Sequence, residues 1–233
     1  MSKRHTGYRT QEQKENPMDT ILFAIFSVVY FIFLLLAIRL LKKPYARSTI
    51  YLLPVIAGLF YDNVLLTIGR FIGEGDFLEK LNIAKYWIHA FFTPFLILFA
   101  WKTLEQANMK WTRMISVRIF AIGLTVLLVL FELFTEVFSL NIEAKWKFGV
   151  LSYKSMESSS GPPFMILIVS LVLIAASIFI WIKQKWAWFF IGSLLMIIGS
   201  VIQWPIKSGA ITNLFELILI ISLLGTAYFQ RKT

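Results

Sequence analysis

Seven apolar runs, each close to 20 residues long, limit the fold of this chain more than any other feature of its sequence. About 20 apolar residues in a helix cross the roughly 30 Å hydrocarbon core of a bilayer. No run alternates apolar and polar residues as a barrel strand does. Because lipid offers no hydrogen-bond partners, the backbone N–H and C=O groups of these runs must then pair within helices. The sequence therefore predicts an all-α, polytopic membrane bundle of seven transmembrane helices, at 19–40, 49–72, 84–103, 115–139, 164–182, 186–206 and 211–230.

The segments outside the runs are short, with two exceptions. Residues 1–18 are polar and are predicted to form a mobile tail ahead of a transmembrane domain at 19–230. Residues 141–163 form the one sizeable loop, which ends at the helix-breaking sequence SSSGPP. The chain is 58% hydrophobic and 15% charged, against about 25% charged residues in soluble domains. This composition agrees with the membrane class.

The basic residues of the connections predict the orientation, because cytoplasmic loops carry an excess of Lys and Arg. After runs one, three, five and seven there are twelve: Arg39, Lys42, Lys43, Arg47, Lys102, Lys110, Arg113, Arg118, Lys183, Lys185, Arg231 and Lys232. After runs two, four and six there are seven: Arg70, Lys80, Lys85, Lys145, Lys147, Lys154 and Lys207. The tail adds four basic residues to this smaller set. Close to run one, however, more basic residues follow the run than precede it, which again favours the side after run one as the cytoplasmic side. The N-terminus is predicted outside and the C-terminus inside.

Composition also excludes several functions. The chain has no cysteine and only two histidines, so disulfides, thiolate metal sites and multi-histidine metal centres are excluded. The formal net charge of +10 comes from residues between apolar runs, which favours contacts with membrane lipids over nucleic acid. The seventh run has no lysine for a retinal Schiff base, and no DRY or NPxxY string marks a receptor. High Ile, Lys and Phe contents without Cys favour the plasma membrane of a prokaryote.

Polar residues interrupt five runs, and the alternating direction of the helices places them all in the predicted outer half of the membrane. Ionisable side chains within a membrane cost about 2.5–3.5 kcal/mol each and mark functional sites by default. The set, with its flanking tryptophans, is Tyr61, Asp62, Asn63 and Arg70 in run two, Trp87, His89 and Thr93 in run three, Glu132 and Glu136 in run four, Gln203 and Trp204 in run six, and Asn213 and Glu216 in run seven.

These residues predict a carboxylate-rich pocket that opens to one side. Carboxylates beside a histidine at low dielectric suit acid–base chemistry, so Asp62, His89, Glu132 and Glu216 are the predicted catalytic residues. The other members of the set are predicted to bind substrate. No cofactor is implied, and nothing in the spacing demands a metal ion, although carboxylates can hold a divalent cation.

Several of these residues also have a structural interpretation. Asp62 and Arg70 could form an ion pair at the outer end of the bundle, and Glu132 and Glu136 could face headgroups and water. His89 could simply form a hydrogen bond with a neighbouring carboxylate. Gln203 and Asn213 are typical of interhelical hydrogen bonds, and Gly192 and Gly199 of close helix packing. The glycines of GRFIGEGD predict a helix cap and turn. Pro94 predicts a kink in run three, where it frees a backbone carbonyl.

Three functions remain open for such a chain. The first is an integral membrane enzyme that acts on a lipid or isoprenoid substrate, with aromatic residues enclosing the apolar chain. The second is a proton-coupled transporter of a small solute, although the plain inner half lacks the midplane polar residues that alternating access usually uses. The third is a non-catalytic partner or assembly protein, in which the polar residues only hold the bundle together.

Overall fold

The computed structural model of the chain describes residues 18–42, 47–156, 164–202 and 208–230. Almost all of the predicted tail therefore lies outside the described residues. Eight α-helices and a two-stranded hairpin follow one another in these ranges. They are α1 (Met18–Leu41), α2 (Thr49–Ile72), α3 (Asp76–Phe92), α4 (Phe95–Gln106), α5 (Ile115–Glu132), β1 (Ile142–Lys147), β2 (Val150–Ser155), α6 (Phe164–Gln184), α7 (Trp188–Val201) and α8 (Ala210–Phe229). A 3₁₀ turn (Lys110–Arg113) precedes α5 and a π turn (Leu133–Val137) continues it.

Six helical segments of the described chain are long and apolar enough to cross a membrane. They are α1, α2, α3 with α4 as one segment of 31 residues, α5 with its π turn, α6 and α8. These six match six of the seven predicted runs, so the chain is an integral membrane protein built as a helical bundle. The remaining run, 186–206, contains α7, whose 14 residues span about 21 Å.

One end of the bundle is marked by the starts of α1 and α8 and by the hairpin, and we call it the hairpin end. The Asp19 carboxylate accepts hydrogen bonds from the Ser208 hydroxyl at 2.7 Å and from the Gly209 amide at 2.6 Å. The Thr20 hydroxyl donates to the Gly149 carbonyl in the hairpin turn at 3.0 Å. Asp19 is only 2% exposed, so these contacts bind the first and last helices together within the protein.

The opposite end is marked by the last residues of α4, α6 and α8. The Gln230 side-chain amide donates to the Thr103 carbonyl at 3.0 Å and to the Gln184 side-chain oxygen at 2.9 Å. Just before α7, the Trp186 indole donates to the Thr226 hydroxyl at 3.0 Å.

From this opposite end, α7 runs antiparallel to α8. Gly192 packs against Ser222 and Gly199 against Phe215. A Cβ at either glycine would overlap its neighbour, so the predicted role of both glycines in close helix packing is confirmed.

The hairpin lies within the segment predicted as a loop. In β1, apolar Ile142, Ala144 and Trp146 alternate with charged residues, and both turn residues have positive φ, 50° at Phe148 and 79° at Gly149. Positive φ at both central positions is the geometry of the two-residue turns that match the twist of a hairpin. This alternation and the glycine were the available signals. The apolar face of the hairpin packs on the ends of α2 and α3 through Leu151 and Tyr153, which are buried with Leu65 and Leu78.

The third spanning segment begins earlier than the predicted residue 84 and breaks in the middle. Its first part, α3, starts at Asp76 because Gly75 and the capping residue Gly73 (φ 82°) form the turn after α2. The break falls at Thr93–Pro94, where proline cannot donate to the preceding turn of helix. The predicted cap and turn at GRFIGEGD and the predicted kink at Pro94 are both confirmed.

Candidate functional site

A cavity of about 290 Å³ lies inside the bundle, between α2, α3, α4, α6, α7 and α8. Its lining divides into a polar part and an apolar part. The polar or ionisable lining residues are Asp62, Lys85, Tyr86, His89, Thr93, Ser170 and Glu216. The apolar part includes Val55, Leu59, Phe92, Leu96, Leu173 and Ile220, many of which belong to the main hydrophobic core.

The charged residues of the cavity lie toward the hairpin end. On α2, Asp62 is nearer that end than Val55, which is seven residues earlier in the same helix. On α8, Glu216 lies two turns from the start of the helix, while Ile220 lies deeper. The acids therefore lie on the hairpin-end side of Val55 and Ile220, although the apolar Ile166 and Val169, near the start of α6, line the cavity toward the same end.

An ion pair forms the wall between α2 and α3. The Lys85 ammonium lies 3.5 Å from the Asp62 carboxylate, and the two side chains are only 20% and 26% exposed. Lys85, His89 and Thr93 follow one another at intervals of four residues, which brings all three to one face of the segment. The helix breaks only at Thr93–Pro94, so Lys85, His89 and Thr93 still share this face.

The histidine is held by its own helix. The Nδ1 atom of His89 lies 3.2 Å from the Thr93 hydroxyl, and the charges of Asp62 and Lys85 both act on the ring. Thr93 engages Nδ1, and the ring, whose other nitrogen has no hydrogen bond to a described residue, lines the cavity. A neutral imidazole carries one donor and one acceptor, so it can give or take a proton there.

Glu216 differs from Asp62 because it has no counter-charge. Its carboxylate forms no hydrogen bond and no ion pair with the described residues, although the charges of Asp62 and Lys85 act on it. One turn earlier, the Asn213 amide donates to the Asn63 side-chain oxygen at 3.2 Å. This bond fixes α8 to α2 and so holds Glu216 against the cavity.

The two asparagines are therefore interhelical contacts and are not part of the cavity lining. Asn63 is fully buried, and its own amide donates to the Leu59 carbonyl at 2.8 Å. The interhelical role predicted for Asn213 is confirmed, while its predicted role in substrate binding stays a prediction.

The hairpin covers the ends of α2 and α3 that lie at the hairpin end, next to the polar part of the cavity. The Tyr86 hydroxyl, on the cavity wall, accepts a hydrogen bond from the Ser155 amide at 3.1 Å. The Asn82 side-chain oxygen accepts one from the Tyr153 amide at 3.2 Å. Burial, together with the neighbouring charges of Lys147 and Lys85, lowers the pKa of Lys154 in β2.

Three residues predicted to bind substrate lie on the same helices but are absent from the described lining of the cavity. The Tyr61 hydroxyl donates to the Leu81 carbonyl at 2.8 Å and joins α2 to α3. Arg70 reaches the Thr20 hydroxyl at 3.5 Å, and the Trp87 ring stacks on Phe91.

The alternative ion pair between Asp62 and Arg70 is not formed. Eight residues of helix separate them by about 12 Å along the axis, so the two side chains cannot meet. Asp62 pairs instead with Lys85 of the neighbouring helix.

Glu132 and Glu136 are also absent from the described lining. Glu132 is the last residue of α5, Glu136 lies in the π turn, and both are half-buried. The helix α5 packs against α3 and α4 and contributes no residue to the cavity wall. Their carboxylates repel each other. Gln203 and Trp204 lie outside the described residues.

Sequence reasoning missed Lys85 and Ser170 as lining residues. Lys85 was counted only among the basic residues of a connection, although it is the second residue of the predicted run 84–103. Its four-residue spacing from His89 was the available signal. Ser170 carried no signal, because one hydroxyl in an apolar helix is common.

The cavity thus combines one paired acid, one unpaired acid and a histidine in surroundings of low polarity. Such a set can hold or transfer a proton at the polar end of a bound molecule. Over the ranges that the structure describes, no three His, Asp or Glu side chains are grouped to hold a metal ion. No model of a known protein family matches the chain, and a search of curated proteins finds no similar sequence.

Proposed function

We propose that this protein is an integral membrane enzyme that performs acid–base chemistry on the polar end of a lipid or isoprenoid. The observation that carries the proposal is the amphipathic cavity. Its ionisable residues lie on the walls formed by α2, α3 and α8, and the rest of its lining is largely apolar, as the two parts of an amphiphile require.

Each ionisable group has a distinct proposed role. Glu216, the acid without a counter-charge, exchanges a proton with the substrate, and His89 acts as its partner across the cavity. Asp62 and Lys85, already paired, hold the polar end in place. Positioned proton transfer typically contributes 10²–10⁴-fold to a rate. Glu132 and Glu136 have no part in this proposal, because neither side chain lines the cavity.

The proposed topology has seven crossings, with α7 as the sixth. Trp186 contacts Thr226 at the opposite end of the bundle, whereas Ser208 contacts Asp19 at the hairpin end. The chain therefore passes from one end to the other between these residues. The excess of basic residues at the opposite end favours that end as the cytoplasmic one, in the plasma membrane of a prokaryote. The cavity charges then lie in the outer leaflet.

The test is mass spectrometry of lipids that co-purify with the full chain in mild detergent. Wild type is compared with Glu216→Gln, and Glu132→Gln is the matched control, since it removes a carboxylate in the same half of the bundle but outside the cavity. A defined lipid or isoprenoid should accumulate on or disappear from Glu216→Gln alone. The same generic bilayer lipids on all three proteins would contradict a specific lipid site.

Reconstituted vesicles distinguish the enzyme from the transporter. An enzyme should convert the identified lipid in a Glu216-dependent manner without moving protons or solute across the membrane. A Glu216-dependent flux, without conversion of the lipid, would overturn the proposal in favour of transport.

A further inference from the structure

We infer that the cavity takes an amphiphile whose polar end carries a positive charge, an ammonium group on an apolar chain. This inference rests on the proposed lipid-binding function and names the class of ligand for the same site. It starts from the charges on the cavity wall. Among the described lining residues, Asp62 and Glu216 are acidic and Lys85 is the one permanent cation.

The ion pair leaves one acid in excess. Lys85 lies 3.5 Å from Asp62, so each neutralises the other. Glu216 keeps no such partner, and a carboxylate away from water needs either a counter-charge or a proton. An ammonium group in the cavity would supply the counter-charge that the described residues do not.

The other lining residues fit the same ligand. Tyr86 lines the cavity beside Lys85, whose ammonium lies 5.4 Å from the centroid of the Tyr86 ring, and aromatic faces attract ammonium groups. The apolar part beyond Phe92 is lined by residues such as Leu96 and Leu173, which suit a hydrocarbon chain. Glu216 thus lies at the polar end, and Phe92 and the aliphatic residues lie around the chain.

An anionic headgroup fits less well. Lys85 is already paired, and the hairpin lysines Lys145, Lys147 and Lys154 are absent from the described lining. A phosphate would therefore meet Glu216 without gaining a free cation. The charge distribution favours an ammonium amphiphile over a phosphate amphiphile.

The experiment measures the thermal stability of the full chain in maltoside micelles with three probes of equal chain length. These are dodecyltrimethylammonium, dodecyl phosphate and dodecanol, each titrated below the concentration at which it forms its own micelles. A ligand that binds the folded state raises the melting temperature with concentration. Wild type should respond to the ammonium probe at about tenfold lower concentration than to the other two, a ratio typical of one close charge pair.

Three variants identify the group responsible. Glu216→Gln should weaken the response to the ammonium probe about tenfold, while Glu132→Gln should leave it unchanged. Lys85→Gln should strengthen the response, because it removes the competing cation and leaves both acids for the ligand. A gain of binding cannot come from a variant that has merely lost its fold.

The failures are distinguishable from one another. A preference for dodecyl phosphate that Lys85→Gln abolishes would overturn the inference and identify an anion site. Equal responses to all three probes, unchanged in Glu216→Gln, would overturn the ammonium class while leaving a lipid cavity. No stabilisation by any probe would contradict both this inference and the proposed function.

Discussion

Two pairs of carboxylates lie in the hairpin-end half of the bundle, one around the cavity and one outside it. Asp62 and Glu216 line the cavity, one paired with Lys85 and the other without a counter-charge. Glu132 and Glu136 lie at the end of α5, four residues apart, and repel each other. The sequence places both pairs at similar depth, so depth in the membrane does not decide which acids can reach a ligand.

The difference arises from how the helices pack. The cavity is lined by helices that contact one another through polar side chains, such as Asn213 with Asn63. The outer helix α5 instead presents an apolar surface, with Phe120 and Phe134 among its exposed residues. Four substitution experiments test this difference, in order of decreasing effect on stability.

The largest effect is expected from filling the contact between α7 and α8. Gly199→Leu places side-chain atoms where the Phe215 ring lies, and overpacking of this kind costs about 1–3 kcal/mol or more. The melting temperature in detergent should fall by several degrees. Gly123→Leu on α5 is the control, because no heavy atom lies within 4 Å of a Cβ there. The comparison fails if Gly123→Leu is the more damaging change.

The second effect is the loss of the ion pair on the cavity wall. Asp62→Asn leaves the Lys85 ammonium without its partner in a site only 20% exposed, and we expect a loss of about 1–2 kcal/mol in stability. The double variant Asp62→Asn/Lys85→Gln should recover part of this loss. Chemical denaturation of wild type, Asp62→Asn, Lys85→Gln and the double variant measures it. A double variant less stable than the sum of the single changes would contradict the pairing.

The third effect concerns the bond that joins α8 to α2. A double-mutant cycle of Asn63→Leu and Asn213→Leu should give a coupling of about 0.6 kcal/mol, the average for interhelical hydrogen bonds in a membrane. Thr125→Val on α5 is the control partner, because its hydroxyl bonds only within its own helix, to Ala121. Coupling of Asn63 to Thr125 as strong as its coupling to Asn213 would remove the distinction between the two regions.

The smallest effect is a gain in stability on α5. Glu136→Gln relieves the repulsion from Glu132, and like charges four residues apart on a helix cost about 0.2–0.5 kcal/mol. The gain should shrink in 1 M salt, where the screening length falls to about 3 Å. Equilibrium unfolding at low and high salt tests this. A loss of stability would mean that Glu136 has a partner in the folded protein.

The sequence predicted the spanning segments because lipid imposes one rule on every helix that crosses it. Run two was predicted at 49–72, where α2 lies, although it holds Asp62, Asn63 and Arg70. Pro94 predicted the break between α3 and α4 because proline cannot donate in a helix, whatever its neighbours are. The start of α3 was placed eight residues too late, because the outer part of that helix carries charged residues that suit water.

The predicted site was drawn more broadly than the cavity. Asp62, His89, Thr93 and Glu216 meet around it, while Tyr61, Arg70 and Trp87 form contacts elsewhere on the same helices. The hairpin was missed because two strands of six residues carry a weak signal beside runs of 20 apolar residues.

By itself, the sequence determined that the chain forms membrane helices and that its polar residues gather in one half, because hydropathy and helix direction are properties of each segment alone. Only the tertiary structure decided that Asp62 pairs with Lys85 and not with Arg70. It alone also decided that Glu216, and not Glu132, faces the cavity. The physical reason is that a partner depends on how one helix is rotated and packed against another. That rotation is set by contacts such as Gly199 with Phe215 and Asn213 with Asn63, which join residues far apart in the chain.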